Sequence, residues 1–163
     1  MICNGQLLLK MQPIVGMLGA KVQHNGVSHG LSEAGYDIRL KQTVEFYSRW
    51  NEPRVAVDGK EAPGRFALAS AMEIFDMPPD LVGIVHDKST WARHGLSVFN
   101  TVIEPGFKGG LTLELVYHGG SYLKLPEGTG IAQVLFHRTQ MPAQYTGKYQ
   151  NQSSEPVAPI MTE

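Results

Sequence analysis

The sequence predicts a mostly β protein of the sandwich or barrel type, and three observations favour this fold class. The 18 Gly and 10 Pro are spread along the 163 residues and interrupt short apolar runs, which suits short strands joined by tight turns. Several of these runs are rich in β-branched or aromatic residues, as strands are. Turn sequences such as Asp58-Gly59 separate the runs. A chain of this length buries about 70% of its surface on folding, so we expect a single domain over residues 1–163.

Taken in chain order, the predicted elements begin with a short helix at Gly5–Met11. The predicted strands follow at residues 44–47, 66–70, 82–85, 96–99, 111–116 and 131–136. Residues 88–93 predict the opening of a short helix, with Asp87 or Ser89 as its N-cap. After Tyr145 the chain turns polar and loses its periodicity, so we expect a tail that is mobile unless something orders it.

Composition excludes several classes of protein. The formal net charge is -1, so the chain has no global positive field with which to hold a nucleic-acid polymer. Cys3 is the only cysteine, which excludes an intrachain disulfide and a Cys-rich zinc site. Residues 1–19 contain Asn4 and Lys10 and lack the continuous apolar stretch of a signal peptide or a membrane span. We therefore expect a cytoplasmic protein with neither a nucleic-acid polymer nor a membrane as partner.

Two local patterns have both a structural and a functional interpretation. The helix opening at residues 88–93 would present free backbone N–H groups, and Lys88 and Arg93 would add positive charge, as in a phosphate site. Taken alone, the same segment is more typical of a capped surface turn. Glu114 alternates with leucines on both sides, a pattern that by itself indicates the solvent-facing side of a strand.

Several segments, in a fixed order along the chain, together resemble a known family. They are residues 35–40 (GYDIRL), 88–93 (KSTWAR), 102–115 (VIEPGFKGGLTLEL), 128–134 (GTGIAQV) and 148–152 (KYQNQ). In this order they resemble the motifs of the dCTP deaminase family and of its relatives, the trimeric dUTPases. The resemblance implies an all-β, distorted jelly-roll or barrel-like fold of the dUTPase type with short helices.

Two features favour the deaminase branch of this superfamily. Glu114 stands where deaminases carry their catalytic carboxylate and dUTPases typically an apolar residue, and residues 148–152 replace the Gly-rich tail of dUTPases. In contrast, the loop of residues 94–103 is shorter than in typical deaminases and fits dUTPase spacing. Glu104 resembles the Asp with which dUTPases activate water. The sequence predicts deamination of dCTP to dUTP and ammonia, and it leaves open further hydrolysis to dUMP, dUTP diphosphatase activity alone, and a non-catalytic, nucleotide-gated binding module.

The resemblance also implies roles for individual residues. Glu114 would carry protons, while Ser89 would assist by hydrogen bonding and Arg93 by lowering the pKa of the Glu114 carboxyl. From about residue 146 the chain would form a flexible lid that excludes water from bound nucleotide. The residues implied in substrate binding are Lys88, Thr90, Glu104, Gln133, Tyr145, Lys148, Tyr149 and Gln152.

The expected cofactor and assembly follow from the same resemblance. Zinc deaminases activate water with a metal held by His and Cys ligands, whereas this chain has one cysteine and no Cys-x-x-Cys. We therefore expect zinc-independent chemistry, with no metal held by protein ligands and Mg²⁺ arriving on the triphosphate. The resemblance implies a homotrimer in which Ser89 and Glu114 can belong to sites completed by another chain. Trp91 replaces a smaller family residue and would either pack under the site or narrow it.

Overall fold

The structure is a computed structural model that describes residues 1–161, and this part of the chain forms fourteen strands and two short helices. The prediction of a mostly β fold is confirmed. The elements are β1 (Ile2–Cys3), α1 (Gly5–Met11), β2 (Lys21–His24), β3 (Val27–Leu31), β4 (Tyr36–Arg39), β5 (Val44–Arg49), β6 (Glu52–Val57), β7 (Lys60–Pro63), β8 (Phe66–Asp76), β9 (Leu81–Asp87), α2 (Ser89–Ala92), β10 (Leu96–Val98), β11 (Val102–Ile103), β12 (Lys108–Tyr117), β13 (Leu123–Leu125) and β14 (Gly130–Arg138).

The strands form three antiparallel sheets. The largest has the order β11-β9-β14-β4-β3-β2, and β1 pairs with β14 beside this path. The second has the order β10-β12-β8, and the third the order β13-β5-β6-β7. Within residues 1–161 none of the sheets closes on itself into a barrel, so the architecture is that of packed open sheets.

One hydrophobic core lies among the sheets. Its largest fully buried side chains come from all three sheets and include Tyr36 from the first, Phe75 and Leu113 from the second and Phe46 from the third. Strand β12 shows how the pleat builds this core, because Leu111, Leu113 and Leu115 are buried while the residues between them are half-buried. The alternation therefore leaves Thr112 and Glu114 together on the other face of β12.

The predicted elements differ from the observed ones in their boundaries and in one cap. Each of the six predicted strand segments overlaps an observed strand, and the helix at Gly5–Met11 is confirmed. The predicted N-caps of the second helix are wrong, because α2 covers only Ser89–Ala92 and its N-cap is Lys88. Asp87 is instead the last residue of β9, and its carboxylate accepts a hydrogen bond from the backbone N–H of Val98 at 2.7 Å. Among the described residues, no helix has the length and apolar character needed to cross a membrane.

Candidate active site

A pocket of about 490 Å³ lies between the three-stranded sheet, the turn before β12 and the C-terminal segment. Its volume is within the range of small-molecule sites in proteins. Most of its wall is apolar, and only a few side chains bring polar atoms to it. The lining side chains are Phe66, Leu68, Thr101, Val102, Ile103, Glu104, Phe107, Leu111, Thr112, Glu114, Tyr145, Tyr149, Gln152, Val157 and Pro159.

Glu114 brings a buried carboxylate oxygen to this pocket. The residue lies on β12 opposite Leu68 of β8, and its backbone oxygen accepts a hydrogen bond from Phe99 N–H at 3.0 Å. Its Oε2 atom is buried and has no hydrogen-bond partner within residues 1–161. Burial raises the pKa of the Glu114 carboxyl, and a hydrogen bond from its own backbone N–H offsets part of that rise. A carboxyl with a raised pKa and a free oxygen is suited to taking up and releasing protons near neutral pH.

Glu104 is the second acidic residue of the pocket and differs from Glu114 in its environment. It follows β11 and is exposed to solvent, whereas Glu114 is half-buried. The nearby backbone is held in a turn, since Phe107 N–H donates to the Glu104 carbonyl at 3.1 Å. The pocket therefore contains two carboxyl groups in different environments. That of Glu114 is half-buried, and that of Glu104 is exposed to solvent.

The C-terminal segment is attached to β12 through backbone atoms. Gly110 N–H donates to the carbonyl of Gln152 at 2.9 Å, and Asn151 N–H donates to the carbonyl of Lys108 at 2.8 Å. The close approach of the tail to β12 requires glycine at two positions of the strand. A Cβ at Gly109 would lie 2.6 Å from the Gln152 carbonyl oxygen, and a Cβ at Gly110 would lie 2.3 Å from the Ser153 carbonyl oxygen. The glycine pair of the core motif thus makes room for the tail.

The residues of the predicted lid contribute one wall of the pocket. The Gln152 amide donates to the Thr112 hydroxyl at 2.8 Å, and Tyr149 is half-buried beside it. The ring of Tyr145 meets that of Phe107 edge-on, with centroids 6.0 Å apart. Lys148 is exposed, lies 5.3 Å from the centre of the Tyr149 ring and donates to the carbonyl of Ile160. The tail is packed against the body in this structure, and its flexibility stays a prediction.

The remaining predicted residues lie outside the pocket of their own chain. Ser89, Thr90 and Arg93 are exposed on and just after α2 and do not line it. Lys88 instead forms an ion pair of 2.5 Å with the buried Asp37. Gln133 donates to the same carboxylate at 3.2 Å. The influence of Arg93 on the pKa of Glu114 therefore stays a prediction that concerns an assembled protein.

Trp91 is buried between α2 and the large sheet. Its indole N–H donates to the carbonyl of Gly130 at 2.7 Å, and its ring lies against that of His94 with centroids 5.9 Å apart. The side chain is absent from the pocket wall. Of the two roles considered for Trp91, the structure shows packing inside the subunit.

Sequence reasoning missed several side chains of the pocket, including Thr101, Thr112 and Phe107. Thr101 and Thr112 contribute hydroxyls, and Phe107 contributes an aromatic wall. The sequence could have identified Thr112, because it precedes Glu114 by two residues on a strand. Side chains two residues apart on a strand face the same side. Thr101 carries no such signal, since it lies between strands.

The architecture places the protein among those with the dUTPase-like fold. EIAV dUTPase matches it with a TM-score of 0.53 at 18% identity, over 91% of this chain and 97% of that one. The 2'-deoxycytidine 5'-triphosphate deaminase of Agrobacterium tumefaciens matches with a TM-score of 0.56 at 16% identity, over 85% of this chain and 48% of that one. At these identities the likeness concerns the fold alone.

The sequence comparisons identify the family within this fold. The profile of the dCTP deaminase-like family matches residues 17–139. The dCTP deaminase of Campylobacter concisus is 34% identical over 168 residues, covering 90% of this chain and 89% of that protein. That of Campylobacter fetus subsp. fetus is 38% identical over 147 residues, covering 77% and 78%. The chain belongs to the dCTP deaminase-like family, as the order of its motifs predicted.

Proposed function

We propose that the protein removes the C4 amino group of dCTP by hydrolysis and releases dUTP and ammonia. The observation that carries the proposal is the unpartnered Oε2 of Glu114, which lies in an apolar pocket of about 490 Å³. A pyrimidine ring is flat and largely apolar on its faces, so it suits this wall. Family membership and the names of the similar proteins support dCTP as the substrate.

In this reaction Glu114 moves a proton between water and the leaving nitrogen. The water oxygen forms a bond to C4 of cytosine while one of its protons passes to the ionised Glu114 carboxylate. Glu114 then delivers a proton to the amino nitrogen, the C4–N bond breaks, and ammonia leaves. The other proton of water ends on ring atom N3, and the water oxygen becomes O4 of the uracil product. The atoms balance, and Glu114 returns to its ionised form.

The proposed chemistry needs no zinc, because a positioned carboxylate can supply the proton transfers itself. A zinc deaminase needs a set of His and Cys ligands. Cys3 is the single cysteine here, and the part of the chain that the structure describes contains no cluster of three or more His, Cys, Asp or Glu side chains suited to a metal. Mg²⁺ belongs to the substrate, since a triphosphate carries it into the site as Mg·dCTP.

A second copy of the chain would supply the phosphate-binding part of the site. Ser89, Thr90 and Arg93 are exposed and do not line the pocket of their own chain, whereas Glu114 does. Ser89 and Arg93 belong to the same family motifs as Glu114 but do not share a pocket with it in one subunit. An interface between identical subunits could bring them together. We therefore propose a homotrimer in which Ser89 and Arg93 of one subunit face the Glu114 pocket of the next.

The tail would act as a lid over bound nucleotide. Its backbone contacts with β12 and the bond from Gln152 to Thr112 give it a defined closed position. Few of its own side chains are buried in that position, so opening exposes little apolar surface. Lys148 would exchange its contact with the Ile160 carbonyl for a contact with phosphate.

Glu104 supports one alternative outcome of the reaction. It lines the same pocket and is exposed to solvent, so it could activate a second water for cleavage of dUTP to dUMP. Its side chain has one methylene more than the Asp of dUTPases. A misplacement of about 1 Å can cost about a hundredfold in rate, so this activity is expected to be the weaker.

Turnover of defined nucleotides tests the proposal. The purified protein, with Mg²⁺, is incubated separately with dCTP, dCMP, 5-methyl-dCTP and dUTP, and ammonia, pyrophosphate and nucleotides are resolved. Ammonia and dUTP formed from dCTP, before and after exhaustive zinc chelation with Mg²⁺ restored, would support it. Consumption of dUTP alone would make the protein a dUTPase, and binding without turnover would make it a nucleotide-gated binding module. Activity that only zinc restores would contradict the metal-free mechanism.

A further inference from the structure

Thr101 brings a second buried, unpartnered polar atom to the pocket. Its Oγ1 is shielded from solvent and, within the described residues, has no hydrogen-bond partner. It lines the same pocket as Glu114, whose Oε2 is in the same condition. A buried hydroxyl without a partner is unfavourable, which suggests that this atom binds a ligand.

The backbone around Thr101 is fixed from two directions. Phe99 N–H donates to the carbonyl of Glu114 at 3.0 Å, which ties the segment to β12. Val85 N–H donates to the carbonyl of Thr101 at 3.0 Å, which ties the same segment to β9 of the large sheet. Thr101 therefore lies on a short bridge between two sheets, two residues from the one bonded to Glu114. The backbone that carries its side chain is therefore held in place before any ligand binds.

A threonine hydroxyl that lines the same pocket as a carboxylate matches the needs of an attacking water. The water must donate one hydrogen bond to the ionised Glu114 and must present a lone pair to C4. Its second proton needs an acceptor, and a hydroxyl oxygen has lone pairs for it. Leu68 and Ile103, which line the same pocket, offer no acceptor. Of the other polar lining groups, Glu104 is exposed to solvent and the Thr112 hydroxyl already accepts a hydrogen bond from Gln152.

We propose that Thr101 Oγ1 and Glu114 together hold the hydrolytic water, which makes Thr101 a further catalytic residue of this protein. The inference rests on the proposed deamination. Thr101 accepts the second water proton in a hydrogen bond and keeps its own proton throughout, so the bond changes of the reaction are unchanged. After the reaction the former water oxygen is O4 of dUTP, which only accepts hydrogen bonds. The Thr101 hydroxyl then rotates and donates to it.

The hydrogen bond between the Thr101 hydroxyl and O4 of dUTP distinguishes a catalytic role of Thr101 from a purely structural one. The variant Thr101→Val keeps the shape of the side chain and removes the hydroxyl, and Thr101→Ser keeps the hydroxyl and removes a methyl group. The measurements are kcat and KM for Mg·dCTP, the inhibition constant of dUTP, and the melting temperature of the full-length chain. Because dCTP has an amino group at C4 and does not contact Thr101 directly, its KM should change little.

We expect kcat of Thr101→Val to fall about ten- to a hundredfold, less than the loss caused by removing a donor to a transition-state charge. Inhibition by dUTP should weaken several-fold in the same variant, and Thr101→Ser should retain most of the wild-type kcat. A Thr101→Val enzyme with kcat within twofold of Thr101→Ser would overturn the inference. Parallel losses in kcat, in KM and in melting temperature for both variants would also overturn it, in favour of a packing role. A wild-type chain without deaminase activity would instead refute the proposed function.

Discussion

The hydroxyl of Thr112 accepts a hydrogen bond of 2.8 Å from the side-chain amide of Gln152, which joins the strand that carries Glu114 to the C-terminal segment. Thr112 and Glu114 are two residues apart and face the same pocket. One polar side chain of this face is therefore satisfied by the tail, while Glu114 Oε2 stays available for a ligand. Under the proposed function, closure of the pocket and its chemistry would depend on two side chains of the same face of a single strand.

Glu114→Gln should separate binding from chemistry. Glutamine is nearly isosteric and still forms hydrogen bonds, but it cannot accept a proton from water at neutral pH. We expect kcat for dCTP to fall by at least about a hundredfold, while the affinity for dUTP and the fold are kept. Steady-state kinetics, dUTP binding and thermal melting of this one variant check the prediction. A kcat near that of the wild type would remove Glu114 from the mechanism.

The raised pKa of Glu114 predicts how both activity and stability depend on pH. Since burial raises this pKa, the ionised form is less favourable in the folded chain than in the unfolded one. The cost of folding with an ionised Glu114 is therefore present above the raised pKa and disappears as the pH falls below the ordinary value of 4.5. Activity should decline with acidification through the raised pKa, because the proton acceptor is lost.

Urea unfolding measured over a pH series tests the predicted pH dependence of the free energy of unfolding. Glu114→Gln should be at least as stable as the wild type near neutral pH, and the difference should vanish at acidic pH. If Glu114→Gln were less stable than the wild type at neutral pH and the loss persisted in acid, the Glu114 carboxylate would stabilise the fold. It would then not be a group that is retained for function at a cost in stability.

Removal of the tail should weaken nucleotide binding and leave the body folded. A chain ending at Gly147 lacks Lys148, Tyr149 and Gln152 but keeps every strand of the three sheets. We expect a melting temperature close to that of the full chain and a KM for dCTP raised several-fold, because the phosphates lose a cation and the pocket loses a wall. A chain ending at Gln152 is the matched control and should keep most of the affinity. Equal KM values for all three chains would exclude the lid.

Mixed assemblies test whether the active site is shared between subunits. Ser89→Ala and Glu114→Gln should each be nearly inactive alone, because each destroys every site. If Ser89 of one subunit serves the Glu114 pocket of another, random mixing of the two variants should restore about a quarter of the wild-type activity. The variants are co-expressed with different tags and the unseparated mixture is assayed. Mixed trimers isolated through both tags should show about a third of the activity, because one of their three sites is intact. Mixtures as inactive as the separate variants would place both residues in the site of one chain.

Much of the fold was accessible from local patterns, because alternation along a half-buried strand is a strong signal. Strand β12 is the clearest case, as its buried leucines alternate with Thr112 and Glu114. Strands β2 and β7 were missed because every residue of both is exposed, so burial leaves no pattern in them. The helix cap was misassigned because Asp87 has a partner in β10, an interaction that local sequence does not show.

The candidate site was less accessible from the sequence than the fold. The motifs suggested Glu114, Tyr149 and Gln152, which the structure brings to one pocket, and Lys148, which does not line it. Ser89 and Arg93 belong to the same motif set but lie elsewhere on the chain surface, and the sequence cannot show which residues meet across subunits. Thr101 had no signal at all, since an isolated threonine between two strands is usually an ordinary loop residue. Its interest arises from burial and from the absence of a partner in the described residues.

The attachment of the tail through Gly109 and Gly110 has a consequence for selectivity. The contacts there join peptide groups of β12 to peptide groups of the tail, and neither glycine offers a side chain. Such contacts would be the same whatever base is bound, so closure of the proposed lid would not itself report whether the nucleotide is a cytidine or a uridine. Discrimination between substrate and product must therefore arise at the floor of the pocket, from the few polar atoms that meet the C4 substituent.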